Sequence, residues 1–234
     1  MSDESGSGAG APGPRVAPGP RDALGPREAL GPRDALELAS WRRAIAELYA
    51  GVRAAPSAQA GWARWREVRD ALFLTHPQSP LPAERRHAGF LPSYFDHDAA
   101  LRVLAALETA EPERLLLPSS RDEPMGATRV ATARFSLAGR ACSLPVFWLD
   151  GYAGGLFVSF LDATSGSETY GGGRYLLDTV KGADLGVDGE MLVLDFNFAY
   201  QPSCAYDPAW ACPLPPRDSR LPIAIRAGER SREI

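Results

Sequence analysis

The chain has 234 residues, is 45% hydrophobic and 9% aromatic, and carries a net charge of -4 from 25 basic and 29 acidic residues. That is enough apolar material for one large domain or two small ones, and it leaves no basic field for nucleic acid. No run nears the roughly 20 apolar residues of a membrane helix, and no apolar run follows a basic N-terminal stretch, so neither a membrane span nor a secretory signal is expected.

Three cysteines, Cys142, Cys204 and Cys212, are too few for a disulfide framework, and a reducing, cytoplasmic setting is the simplest expectation. Lys181 is the single lysine; every other basic residue is an arginine.

Residues 1–36 are a different material. Gly and Pro fill 13 of the 36 positions, and a six-residue repeat runs "GPRDAL", "GPREAL", "GPRDAL" from position 19 to 36. A Gly-Pro pair every sixth residue interrupts a helix, and the composition buries no core, so a disordered tail is expected. A protein partner bound through the tail is the competing reading.

Two helices follow. In "ELASWRRAIAELYAGV" the residues Leu38, Trp41, Ile45, Leu48 and Val52 keep helical spacing. In "SAQAGWARWREVRDALFLTHP", Ser57 is a candidate N-cap and Trp62, Trp65, Val68 and Leu72 share a face. Arg64, Arg66 and Arg69 are expected to face solvent, and Pro77 stops the helix. "FDHDAALRVLAALE" suggests a shorter third helix, capped by Asp96 or Asp98.

From about residue 113 the period changes to two. "TRVATARFSL" puts Ala131, Ala133, Phe135 and Leu137 on one face, and "AGR" at 138–140 turns it into "ACSLPVFWL". "LFVSFLD", "RYLLD", "EMLVLDFNFAY" and "LPIAIRA" read as further strands. The expected fold is α+β: N-terminal helices (37–112) packed on an antiparallel, barrel-like β-meander of seven or eight strands (113–234), the two forming one globular unit. In the strand from Met191 to Tyr200, Leu192, Leu194, Phe196, Phe198 and Tyr200 project to one side, which the helices are expected to cover. Asp195 and Asn197 project to the other, facing either a barrel lumen or solvent.

"DATSGSETYGGGRYLLD" carries the densest polar chemistry. Asp, Ser and Thr oxygens cap local turns, and Gly171, Gly172 and Gly173 permit positive φ or close approach. The glycines lack the lysine and following helix of a phosphate-binding loop. Arg174 either forms an ion-pair network with Asp162, Glu168, Asp178 or Asp195, or holds a ligand carboxylate through its fork. Cys204 and Cys212 have seven residues between them, which is not a zinc-finger spacing; a reduced, buried, metal-free pair is expected, with burial raising both thiols and slowing their reaction.

Four elements resemble a family known as domain of unknown function 1684. They are Ser79-Pro80-Leu81, then Tyr94-Phe95 with Asp98, then Asp162 to Leu176, and last Asp195 to Arg230, which runs "DFNFAYQPSCAYDPAWACPLPP" and closes on "AGER". The resemblance spans about residues 60–230. Gln201 and Asp207 stand where the pattern has asparagine. The resemblance implies that the two long motifs belong to one unit, and it implies no reaction.

The functional expectation is a barrel that binds a small polar molecule, with a site where the Asp162–Arg174 and Asp195–Cys212 loops meet. Asp162, Glu168, Tyr170, Arg174, Tyr175 and Asn197 are the candidate binding residues, and Asp195 is the candidate general base. No cofactor and no metal is expected. The alternative is a non-enzymatic interaction module in which these motifs are internal scaffold.

Overall fold

The computed structural model describes residues 31–121, 123–152 and 154–231. The expected tail lies outside the described residues as far as position 30. Helix α1, Pro32–Arg53, starts ahead of residue 37. The last Gly-Pro pair of the repeat opens this helix rather than breaking it: Gly31 is the N-cap and Pro32 sits in the first turn, where its missing N–H has no helical partner to lose. Leu38, Trp41, Ile45, Leu48 and Val52 are all buried, as their spacing requires.

Helix α2, Ala58–Thr75, is capped by Ser57, whose hydroxyl accepts from the Ala60 N–H at 3.1 Å. Its buried stripe is Trp62, Trp65, Arg69 and Phe73. Arg64 is exposed, but Arg69 is only 7% exposed, which corrects its expected place on the solvent face. Sixty-nine lies four residues after Trp65 and four before Phe73, so helical geometry turns it inward. Ser79 fixes the corner after α2: its hydroxyl donates to the Phe73 carbonyl at 2.7 Å and accepts from Leu81 N–H at 3.1 Å.

The strands are β1 (Ser93–Tyr94), β2 (Arg102–Leu117), β3 (Met125–Leu137), β4 (Arg140–Leu149), β5 (Gly155–Phe160), β6 (Arg174–Asp178), β7 (Val187–Asp188), β8 (Met191–Asp195) and β9 (Glu229–Arg230). Seven form one antiparallel sheet in the order β6-β5-β4-β3-β2-β8-β7, and β1 pairs with β9. The architecture is α+β: two helices precede a curled half-barrel sheet. Tyr175 in β6 exchanges two backbone bonds with Tyr200, just beyond β8, so the curl brings its two ends together.

Three sequence expectations change. The stretch read as a third helix is a single turn, Ala99–Leu101, capped by Asp98 and followed directly by β2. Its alanines and leucines favour a helix locally, but residues 102–105 pair with β8 and residues 106–109 and 113–117 with β3, and pairing overrides propensity. Pro112 lies where the β2–β3 register shifts, since it has no N–H for the ladder.

"LPIAIRA" is not a strand; it runs irregularly beside the 160s loop. The Met191–Tyr200 strand ends at Asp195 and turns through Phe196–Phe198. Asp195 and Asn197 therefore share no strand face.

The core lies in two parts on opposite faces of the sheet. Alternation sends Val158 one way and Phe157 the other. One part holds Phe135, Phe160, Leu194 and Phe196 under Leu221, Ile225 and Ala227 of the C-terminal segment. The other joins the helices to Phe147, Phe157, Tyr175, Phe198 and Tyr200. Of the face expected under the helices, they cover Phe198 and Tyr200 but not Leu192, Leu194 or Phe196. Trp65, fully buried, is their anchor, meeting the rings of Tyr94 and Phe198 edge-on at 5.6 Å each.

Candidate functional site

Asp162 and Arg174 come together, both about 1% exposed, with Oδ1 3.6 Å from Nη2. Neither is idle. Asp162 accepts from the Thr164 hydroxyl at 2.9 Å, from the Ser165 hydroxyl at 3.1 Å and from the Ile225 N–H at 2.6 Å. Arg174 donates to the carbonyls of Ile225, Ala227 and Glu229 and lies 5.0 Å over the Phe160 ring.

Burial pulls its guanidinium down to about 10, while Asp162 and Glu229 hold it charged. The pair ties the C-terminal segment across the sheet. Of the three glycines before it, Gly173 has φ +86°, and a Cβ there would lie 2.6 Å from both the Phe160 carbonyl oxygen and Pro215 Cγ.

The other expected residues sit apart from this pair. Asp195 Oδ1 accepts from the Asn197 backbone N–H at 3.0 Å and from its side-chain amide at 2.8 Å. Asn197 also bonds both the N–H and the carbonyl of Asp98. Burial raises the Asp195 carboxyl, against the lowering effect of the Asn197 bonds. Glu168 forms an exposed fork with Arg226 at 2.7 and 2.8 Å. Tyr170 O–H lies 3.7 Å from Cys204 Sγ, and Tyr175 O–H donates to the Pro213 carbonyl.

A second charged centre escaped the sequence reading. Arg69 Nε donates to Glu229, with side-chain exposures of 8% and 0%. The other Glu229 oxygen accepts from the Gln201 N–H and from the Tyr206 hydroxyl, each at 2.7 Å. Rings of Phe73, Tyr200 and Trp65 surround the Arg69 guanidinium at 4.8, 4.9 and 5.5 Å. Burial is the largest single influence and works against the charge, but Glu229 together with Tyr206 and Tyr94 holds Arg69 above its ordinary value.

Beside this centre, a cleft opens between α1, the start of the 78–80 corner and the sheet rim. It has about 30 Å³ of room for the centres of water-sized molecules, space for about two waters. Trp41, Ile45 and Trp210 give it apolar walls; Tyr49, Arg69, Lys181, Tyr200 and Gln201 bring polar atoms. Lys181 Nζ stands 3.6 Å from Asp178 Oδ2, and Tyr200 O–H donates to the same oxygen at 3.4 Å. Burial raises the Tyr49 and Tyr200 phenols, which stay protonated donors. Gln201 is 7% exposed, and no hydrogen bond to its side-chain amide is found among the described residues.

One feature of the sequence pointed here: a charge at position 69 on an otherwise apolar helical stripe. Glu229, in "AGER", has no local feature that tells of its burial.

The three cysteines are free and buried. Cys204 N–H donates to Cys212 Sγ at 3.4 Å, so the two thiols adjoin. Hydrogen bonds from Cys212, and then Ser120 and Tyr170, bring the Cys204 thiol down to about 6 despite its burial; the Cys212 thiol is pushed up. This departs from the expectation that burial raises both.

No curated protein matches the sequence. A family model described as a protein of unknown function, DUF1684, matches residues 91–230. An uncharacterized protein of Haloarcula marismortui, known from a solution NMR structure, is 40% identical, covering 71% of this chain and 90% of its own, with a TM-score of 0.53. With more than half of its length matched by the family model, and with a relative this similar, the chain belongs to the DUF1684 family of proteins of unknown function.

Proposed function

We propose that the protein binds a small carboxylate in the cleft between the helices and the sheet rim, and that the Asp162–Leu176 motif frames the cleft while the Asp195–Arg230 motif supplies Gln201 and Trp210 to it. The observation that carries this reading is the Gln201 amide, which lines the cleft, is 7% exposed and has no protein partner among the described residues. The amide atoms still meet solvent in the cleft, so they offer a ligand oxygen a donor that no protein group occupies. Lys181 offers the positive charge for the carboxylate, and Trp41, Ile45 and Trp210 receive the apolar body.

Under this reading Asp162 and Arg174 strap the C-terminal segment so that Glu229 meets Arg69. Asp195 and Asn197 cap the turn that delivers Phe198, Tyr200 and Gln201. Glu168, Tyr170 and Tyr175 hold the loops between. The protein is a binding module, and Asp195 has no role as a base.

The competing reading is a protein-interaction module, supported by the exposed Leu107, Leu116 and Trp148 on the sheet. Thermal unfolding in acetate, propionate, butyrate and valerate at constant ionic strength separates the two. Melting temperature should rise in acetate and propionate, each buried methylene adding about 0.8 kcal/mol, and gain nothing further in butyrate and valerate, whose tails exceed the room for about two waters. The rise should vanish in Lys181→Met and shrink in Gln201→Ala. No shift with any acid, or equal shifts in the variants, sinks the carboxylate reading.

A further inference from the structure

The Cys204–Cys212 neighbourhood has no part in the cleft chemistry, yet it is built around sulfur. The Cys204 N–H points at Cys212 Sγ from 3.4 Å. The Tyr170 hydroxyl lies 3.7 Å from Cys204 Sγ on another side. Ser120 fastens the second cysteine: its hydroxyl accepts from Cys212 N–H at 2.9 Å and donates to the Trp210 carbonyl at 3.1 Å, and its own N–H donates to the Cys212 carbonyl at 2.9 Å.

The intervening residues form a proline-bearing loop that begins in the Ser203–Ala205 turn, so the ends are held together by backbone and not by chance contact. Among the described residues, no group of histidine, cysteine and acidic side chains is arranged to hold a metal ion here. A third cysteine, Cys142, is buried on β4 within the other core, beside no second thiol.

We propose that Cys204 and Cys212 are an oxidisable dithiol, in which a hydroperoxide is reduced at Cys204 and the pair then closes into an intramolecular disulfide. The electron count is simple. The Cys204 thiolate attacks one oxygen of hydrogen peroxide; the O–O bond breaks, hydroxide leaves and takes up the proton that the thiol had released, and a sulfenic acid forms. The Cys212 sulfur then attacks the sulfenic sulfur. The S–O bond breaks, the S–S bond forms, and the departing hydroxide takes the Cys212 proton. In sum, two thiols and one peroxide give one disulfide and two waters, with two electrons passing from sulfur to oxygen.

The assignment of roles follows from the surroundings. Cys204, at 9% exposure, is the more accessible of the two, against 1% for Cys212. It also receives the donors that favour a thiolate, whereas Cys212 keeps its proton until the second step. A low thiol pKa raises the ionised fraction at neutral pH but lowers intrinsic nucleophilicity, so the net gain in rate is a few-fold rather than the full ratio of ionised fractions.

The test uses the full, unmodified chain, reduced and then treated with one equivalent of hydrogen peroxide at pH 7. Intact mass spectrometry should show the loss of two hydrogens, and peptide mapping without reductant should link Cys204 to Cys212. Cys204 should react roughly threefold or more faster than Cys142. In Cys212→Ser, a sulfenic acid should persist on Cys204 and be trapped by dimedone.

Oxidation of Cys142 first, or equal rates at all three cysteines, overturns the proposal; so does a linked pair that forms no faster in the native chain than in urea. The wild-type measurements decide the matter even where a cysteine variant fails to fold.

Discussion

Asp195 is a buried carboxylate with two hydrogen bonds from Asn197 and a distant cation, Arg102, at 3.9 Å. Burial raises its pKa above the ordinary 3.8. A carboxyl whose folded pKa is raised binds more protons folded than unfolded. Its contribution to stability is therefore complete below pH 3.8 and is lost as pH rises through the higher folded value.

An amide in its place keeps an oxygen for the Asn197 N–H and carries no charge. Asp195→Asn should thus melt at the same or a higher temperature than the wild type at pH 7, and its stability should depend less on pH just above 3.8. Asp195→Ala loses the cap as well and should cost about 1 kcal/mol. Urea unfolding of both variants across pH 3–8 checks this; a large loss in the Asn variant would falsify the capping role and revive a need for the charge.

At the scale of the element, one side chain gathers three carbonyls of the C-terminal segment. Arg174 reaches three carbonyls, those of Ile225, Ala227 and Glu229, and pairs with Asp162, which in turn accepts from Ile225 N–H. A guanidinium has a planar fork of donors; an ammonium does not.

Arg174→Ala leaves a buried carboxylate without its cation and three carbonyls without their donor, and should cost about 3–5 kcal/mol. Arg174→Lys should recover less than half of that, because one charge at the end of a flexible stem cannot serve three acceptors. Amide hydrogen exchange should show the loss concentrated in residues 221–230. Full recovery by lysine would mean that the charge matters and the fork does not. Gly228 reports the same tightness, since a Cβ there would lie 2.3 Å from the Ala199 carbonyl oxygen.

At the scale of the molecule, the helical layer and the sheet meet through an ion pair inside an aromatic box. Arg69 comes from α2 and Glu229 from β9, and the box is made of Trp65, Phe73 and Tyr200. Removing one member leaves the other charge buried alone, so Arg69→Met should cost about 3–5 kcal/mol.

Adding Glu229→Gln removes the lone charge while keeping an oxygen for Gln201 N–H and the Tyr206 hydroxyl. The double variant should be more stable than Arg69→Met alone. Thermal unfolding of the four chains of this cycle gives the coupling directly. A double variant less stable than the single one would show that the carboxylate's other bonds, not its charge, hold the layers together.

The helices and the β3–β4 hairpin were legible in the sequence because their instructions are local. The Leu38 to Val52 spacing fixes which face of α1 is buried, Ser57 caps α2, and Ala138 and Gly139, with φ of 49° and 73°, make the tight turn that the hairpin needs. The polar loop was legible too, since Asp162, Thr164 and Ser165 bond within four residues of one another.

What only the tertiary structure decided was made by partners far apart in the chain. Residues 102–105 became strand because β8 was there to pair with them. Met191–Tyr200 was cut at Asp195 because Asn197 reaches back to Asp98. Arg69 turned from a surface charge into a buried one because Glu229, 160 positions away, meets it. The lone sequence is silent on such pairings, because the energy that settles them belongs to contacts that exist only once the chain has folded.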